Sequence, residues 1–273
     1  MANEIDNERV GEEFIDMAWT ITENLRMMRG SILSGLITAF CLLNLNASAG
    51  PSAATNGAPA VADPQAYLAG VTTELTRSWP TNHLVNLVCH GHSVVAGYFQ
   101  TPEVRMFDAY PSLLHRRLCE KFPHAVINVI VTGIGGENSE AGAKRFQRDV
   151  LSLRPEVVTI DYALNDRAIG LVRAEKAWRA MIGAALAAKV KVILLTPTAD
   201  LHARLDDPND PLNQHAEQIR RLAAEYHVGL VDSLAQFKHY VAAGGRLDDL
   251  MAQFNHPNRQ GHELVAAELI KWF

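Results

Sequence analysis

Leu84-Val85-Asn86-Leu87-Val88-Cys89 runs directly into His90-Gly91-His92-Ser93. The first six residues are almost all apolar, too few for a helix and of the right length for a strand buried on both faces. The segment that follows breaks the run with a glycine between polar side chains, so a serine is delivered at the strand's exit.

Working outward, the same alternation recurs. Short apolar runs at 125–131, 157–160, 190–195 and 228–231 read as further strands. Between them, helical periodicity covers 109–122, 140–152, 173–189 and 212–227, with a last helix at 259–273. Asp108-Ala109-Tyr110-Pro111 fits a helix start, with proline in the first turn. Strands joined by helices predict an α/β fold with a five-stranded parallel sheet covered on both faces. In such sheets ligands bind beyond the carboxyl ends of the strands, so the chemistry belongs to the loops that follow them.

Those loops carry unusual residues. After the first strand stands Gly91-His92-Ser93-Val94-Val95-Ala96-Gly97, and after the second Gly133-Ile134-Gly135-Gly136-Glu137-Asn138-Ser139. Glycines there let backbone N–H groups approach a substrate without an intervening side chain. After the third comes Ala163-Leu164-Asn165-Asp166-Arg167, and His256-Pro257-Asn258 precedes the final helix. Taken in order, the four blocks resemble the SGNH (GDSL-like) hydrolase superfamily, over roughly residues 86–273. That family usually has Gly-Asp-Ser-x-x-x-Gly in its first block, where this chain has His92 in place of the aspartate. Its third block usually reads Gly-x-Asn-Asp, and here Ala163 replaces the glycine. Its fourth usually reads Asp-x-x-His-Pro-Asn, and Gln253 stands where that aspartate belongs.

The resemblance implies a three-layer α/β/α sandwich of flavodoxin-like type and a serine esterase mechanism. Ser93 is then the nucleophile and His256 its general base. The oxyanion is received by the Ser93 and Gly136 backbone N–H groups and the Asn165 amide. Three groups compete to orient His256 in the absence of the aspartate: the Gln253 amide oxygen, Asp248 or Asp249 from upstream, or a backbone carbonyl. His92 and Arg167 are expected at the substrate rim, Arg167 also fitting a surface ion pair, while His262 and Glu263 open the last helix as solvated side chains. Asp161 and Asp166 flank one loop but are not read as paired glycosidase carboxylates.

Composition bounds the partners. The chain has 273 residues, 48% hydrophobic and 20% charged, with net charge −5. Of that charge, −4 falls before Gly50 and −1 after it, so nothing favours nucleic acid. No His or Cys pair has H-x-x-x-H or C-x-x-C spacing, so neither a metal nor another cofactor is expected. Cys89 and Cys119 read as buried thiols rather than a disulfide.

Residues 26–49 read as a secretory signal: Arg26-Met27-Met28-Arg29, an apolar run over 32–43, then small residues with cleavage after Ala49. The run is short for a membrane span, and an acidic segment (Glu4, Asp6, Glu8, Glu12, Glu13, Asp16) precedes it. This predicts three parts: an N-terminal extension over 1–49, a linker over 50–63 and a catalytic domain over 64–273. A secreted or periplasmic protein with no stable membrane span follows. An uncleaved anchor and a cytoplasmic protein are the alternatives.

The resulting expectation is an esterase of short acyl groups on small molecules or glycans, O-acetyl groups of carbohydrate foremost. An O-acyltransferase using the same acyl-enzyme, or a non-catalytic carbohydrate-binding protein retaining the fold, are the competing readings.

Overall fold

The computed structural model describes residues 60–273. The expected signal segment lies outside the described residues, as does most of the expected linker. Residues 60–63, placed at the linker's end, are tied to the domain: Ala62 N–H donates to the Val228 carbonyl at 3.1 Å, and His227 Nδ1 donates to the Ala60 carbonyl at 2.9 Å. Asp63 caps the first helix, α1 (Pro64–Tyr67), by accepting from Gln65 N–H.

Five strands form one parallel sheet: β1 (Leu84–Gly91), β2 (Val126–Val131), β3 (Val157–Asp161), β4 (Lys191–Leu195) and β5 (Gly229–Val231). Their spatial order is β2-β1-β3-β4-β5. All five expected strands are present, each within two residues of its expected bounds. The helices that cross between and around them are α2 (Ala69–Leu75), α3 (Ser93–Ala96), α4 (Tyr110–Lys121), α5 (Ser139–Asp149), α6 (Ala163–Asp166), α7 (Leu171–Ala187), α8 (Pro211–Tyr226), α9 (Ser233–Ala242) and α10 (Arg259–Leu269). Near the end, β6 (Met251–Gln253) pairs antiparallel with β7 (His256–Pro257).

The pleat divides the core. Successive strand residues face opposite sides, so Val85, Leu87 and Cys89 of β1 pack with Leu114 and Leu118 of α4 and Leu269 of α10. Val88 enters the opposite layer with Val158, Ile160 and Trp178 of α7. Each fully buried side chain of this size contributes roughly 1.5–3 kcal/mol. Helices on both faces make the three-layer sandwich expected from the sequence.

The order 2-1-3-4-5 reverses the direction of chain progression at β1 and β3. Loops leaving their carboxyl ends diverge there and open a crevice. Ser93 follows β1 and Asn165 follows β3, so topology alone brings the two blocks to one place.

Candidate active site

β1 ends in a turn whose glycine is required sterically. A Cβ on Gly91 would lie 2.4 Å from the Asp161 carbonyl oxygen, a backbone atom that cannot give way. The chain then enters the single turn of α3, capped by His92, whose Nδ1 accepts from Val94 N–H at 3.3 Å. The turn closes at Gly97 with φ 86°, a left-handed conformation that favours glycine. Ser93 is the first residue of α3, where a backbone N–H has no acceptor within the helix.

His256 reaches Ser93 from 163 residues away. The β6–β7 hairpin pairs Gln253 with His256, and Asn258 caps α10 by accepting from Gly261 N–H at 3.1 Å. The imidazole is thereby held with Nε2 at 2.9 Å from Ser93 Oγ and Nδ1 at 3.2 Å from the Phe99 carbonyl oxygen. A carbonyl can only accept, so the hydrogen sits on Nδ1 and Nε2 is left bare toward the hydroxyl. Burial holds His256 below the ordinary imidazole range; the Phe99 carbonyl opposes that shift and the neighbouring His92 adds to it. Both the shift and the bare Nε2 favour a neutral ring.

Gln253 is turned elsewhere. Its Oε1 accepts from Thr101 N–H at 2.9 Å and its Nε2 donates to Asn255 Oδ1 at 3.1 Å. Asp248 and Asp249 are engaged by Arg246 and its backbone. Of the three groups weighed for His256, the backbone carbonyl is the one at its Nδ1.

The loop after β2 packs onto the turn that carries Ser93. Ile134 N–H donates to the Gly91 carbonyl at 3.1 Å, and a Cβ on Gly133 would lie 2.9 Å from the His92 carbonyl oxygen. Gly136 adopts φ 78°, a left-handed conformation that favours glycine, with open space where a Cβ would stand. The Asn165 side-chain amide donates one hydrogen to the Glu137 carbonyl at 2.9 Å, which fixes the amide over this loop and leaves its second hydrogen available.

The neighbouring Asp166 is fully buried and points inward. It accepts from Ser139 N–H and from Trp178 Nε1, both at 2.7 Å, so one carboxyl group clamps the loops after β2 and β3 to α7. Arg145, which the sequence did not single out, performs a second clamp. It donates to Glu137 at 2.8 Å and the Tyr162 hydroxyl at 2.9 Å, and reaches the Gly91 carbonyl at 3.4 Å.

Three expected placements change, those of His92, His262 and Cys119. His92, expected at the rim, is only 1% exposed and lies beneath the Ser93 turn, because its cap bond pulls the ring under α3. His262, expected in solvent, is buried: its Nδ1 accepts from Tyr110 N–H at 3.2 Å, and burial pushes it down to about 3. Arg167 turns back to Asp200, with Nη2 to Oδ2 at 2.6 Å, while still bordering a cleft of about 550 Å³ with Asn165 and His202. Glu263 pairs with Arg117 at 2.6 Å. Cys119 is exposed, since it faces away from the stripe of α4 that packs on the sheet, and Cys89 is buried as expected.

The geometry also reveals residues that the sequence hid. Phe99 acts through its carbonyl, which carries no signature in a sequence. Asp161 ends a strand that is buried on both faces, and a carboxyl group at such a position was the available signal.

Comparison with known proteins follows the same lines. The profile of the GDSL-like Lipase/Acylhydrolase family matches residues 89–264. No curated protein matches the chain. Among solved structures, a two-domain esterase (CEX) active on acetylated mannans, co-crystallised with mannopentaose, superposes with TM-score 0.64 at 20% identity, covering 79% of this chain and 54% of that one. This chain thus spans about half the length of that relative. Axe2, an acetylxylan esterase from Geobacillus stearothermophilus, gives TM-score 0.60 at 21% identity, covering 69% of this chain and 93% of that one. LAE5, an α/β hydrolase enzyme from the metagenome of Lake Arreo, Spain, gives TM-score 0.60 at 23% identity, with 69% and 94% covered.

Proposed function

This chain belongs to the GDSL-like lipase/acylhydrolase family, and from that premise we propose that it is a hydrolase of ester bonds that removes short acyl groups, acetyl foremost, from carbohydrate through a Ser93 acyl-enzyme. The observation that carries this reading is the 2.9 Å contact between Ser93 Oγ and His256 Nε2.

In the first half-reaction Ser93 Oγ attacks the acyl carbon as its proton passes to His256 Nε2. The imidazolium so formed keeps its Nδ1–H on the Phe99 carbonyl. The tetrahedral oxyanion is received by the N–H groups of Ser93 and Gly136 and by the free hydrogen of the Asn165 amide, each fixed in place before the charge develops. Collapse expels the sugar alkoxide, which takes the proton from Nε2. Water then repeats the sequence on the acyl-enzyme, releasing the carboxylic acid and restoring Ser93.

Substrate class rests on the surroundings. Beside Asn165, the exposed ring of His202 stacks on Phe254, with centroids 4.8 Å apart and planes 16° apart, offering a flat face for the C–H side of a sugar ring. The similar structures whose names mention acetylated mannan or xylan support the same assignment. A lipid chain would need a continuous apolar groove at the nucleophile. The apolar stretch at 32–43 and the small residues after it support export, and with it a substrate outside the cytoplasm. Among the described residues no helix is long and apolar enough to cross a membrane.

The test is hydrolysis of p-nitrophenyl acetate and octanoate, and acetate release from acetylated xylan and mannan oligosaccharides, by the purified protein and its Ser93→Ala variant. Acetate is expected to be the faster ester, with the variant at least about 1,000-fold slower. Equal rates for both proteins would overturn the reading.

A further inference from the structure

Beneath the nucleophile lies a second imidazole that the reaction above does not use. His92 and Asp161 are 1% and 2% exposed, and His92 Nε2 stands 3.5 Å from Asp161 Oδ1. Neither atom has any other hydrogen-bond partner among the described residues. Buried polar atoms are almost always paired, and these two stand within ion-pair distance of each other with no competing partner among the described residues. The remaining atoms confirm the orientation. His92 Nδ1 accepts from Val94 N–H at 3.3 Å and lies 3.4 Å from Ser93 Oγ. Asp161 Oδ2 accepts from the buried Tyr110 hydroxyl at 3.4 Å. An imidazole that accepts at Nδ1 carries its hydrogen on Nε2, and that hydrogen points at Asp161.

We propose that His92 and Asp161 form a positioning pair for the nucleophile: Asp161 fixes the hydrogen of His92 on Nε2, so that Nδ1 remains the acceptor for Val94 N–H, the bond that caps α3 and seats Ser93 at its first turn. This chain thereby carries its buried carboxyl group one strand away from position 92, where its family usually has an aspartate, and connects it to the nucleophile through a ring. The inference deepens the esterase reading and rests on it for its kinetic consequences. Aspartate at 92 and aspartate at 161 would crowd two carboxyl groups into one buried site and repel each other, so either residue is acceptable only when the other is not an acid.

The experiment compares the full chain with Asp161→Asn, His92→Asp and the double variant, reading kcat and KM on p-nitrophenyl acetate, and in parallel the imidazole 15N shifts of the histidine-labelled protein. Asp161→Asn is nearly isosteric but no longer forces one tautomer; kcat falls about 10-fold, the loss of one oriented hydrogen bond, with KM unchanged. His92→Asp keeps an acceptor for Val94 N–H but loses at least about 100-fold in kcat or fails to fold, and adding Asp161→Asn returns the double variant to within about 3-fold of the parent. The 15N spectrum shows His92 protonated on Nε2 in the parent and a mixture of tautomers in Asp161→Asn. An unchanged kcat in Asp161→Asn, or a fully active His92→Asp that gains nothing from the second change, overturns the pairing. If the parent itself hydrolyses no ester, the esterase reading fails, and the 15N tautomer still decides the pair.

Discussion

The Nδ1 of His256 lies 3.2 Å from the carbonyl oxygen of Phe99, and that main-chain oxygen occupies the place at the base where a carboxylate would stand. A neutral carbonyl fixes the tautomer but supplies no counter-charge. The loop that presents it is stitched to the hairpin by Gln253, through Thr101 N–H at 2.9 Å, and by Gln100, whose Nε2 donates to the Ala252 carbonyl at 3.0 Å.

Replacing Gln253 by alanine is therefore expected to lower kcat by no more than about 10-fold, through a loosened loop, against the roughly 10,000-fold loss that follows when a carboxylate directly behind the base becomes an amide. Steady-state kinetics on p-nitrophenyl acetate check this. A loss near the larger figure would return Gln253 to the base.

The acid limb of kcat/KM is expected below pH 6.5. His256 must be neutral to accept the Ser93 proton, and burial shifts its titration downward, so activity persists to lower pH than an exposed imidazole would allow. A pH–rate profile from pH 4 to 8 reads the limb directly.

Asn165→Ala removes one oxyanion donor while leaving the Ser93–His256 contact intact. A fall of about 100- to 1,000-fold in kcat is expected, with a smaller change in KM. Single-turnover acylation measured with p-nitrophenyl acetate would locate the loss in the chemical step.

Asp166→Ala acts on the fold instead. It strands Ser139 N–H and Trp178 Nε1, both now satisfied at 2.7 Å by one buried carboxyl group. Unpaired buried donors cost about 1–3 kcal/mol each, so urea denaturation is expected to show a loss of roughly 3 kcal/mol.

Acid should also unfold the protein early. His90 and His262 are pushed down to about 3 and His215 to about 4, in each case chiefly by burial. These groups are neutral in the fold and take up protons near pH 6.5 once unfolded. Their contribution is thus complete above pH 6.5 and is lost as pH falls toward 3–4, by up to about 1.4 kcal/mol per pH unit for each. Denaturation midpoints at pH 7.5 and 5 measure it, and a flat response would contradict the burial of these rings.

Much of this architecture was legible in the sequence because buried parallel strands leave a plain mark: Leu84 to Cys89 has almost no polar residue to confuse its reading, and glycine and asparagine mark the loops that follow the strands. What escaped notice is informative in physical terms. Helix α9 carries its start signal in Asp232, whose side chain accepts from Ala235 N–H at 3.1 Å, but its apolar residues follow a weaker period. The β6–β7 hairpin is too short to show alternation. His262 was misplaced because a polar residue in the first turn of a helix ordinarily faces water, and only tertiary packing shows that Tyr110 N–H needs an acceptor there. For the partner of His256 the sequence offers a backbone carbonyl as one of three candidates but not which one, since every residue has a carbonyl.

That last point has a genetic side. A side chain that steadies a catalytic base can be erased by one codon change, whereas the oxygen of Phe99 survives every substitution at its own position. Support for the base is thereby transferred from residue identity to loop placement, and position 253 bears on it only through the loop that it ties to the hairpin.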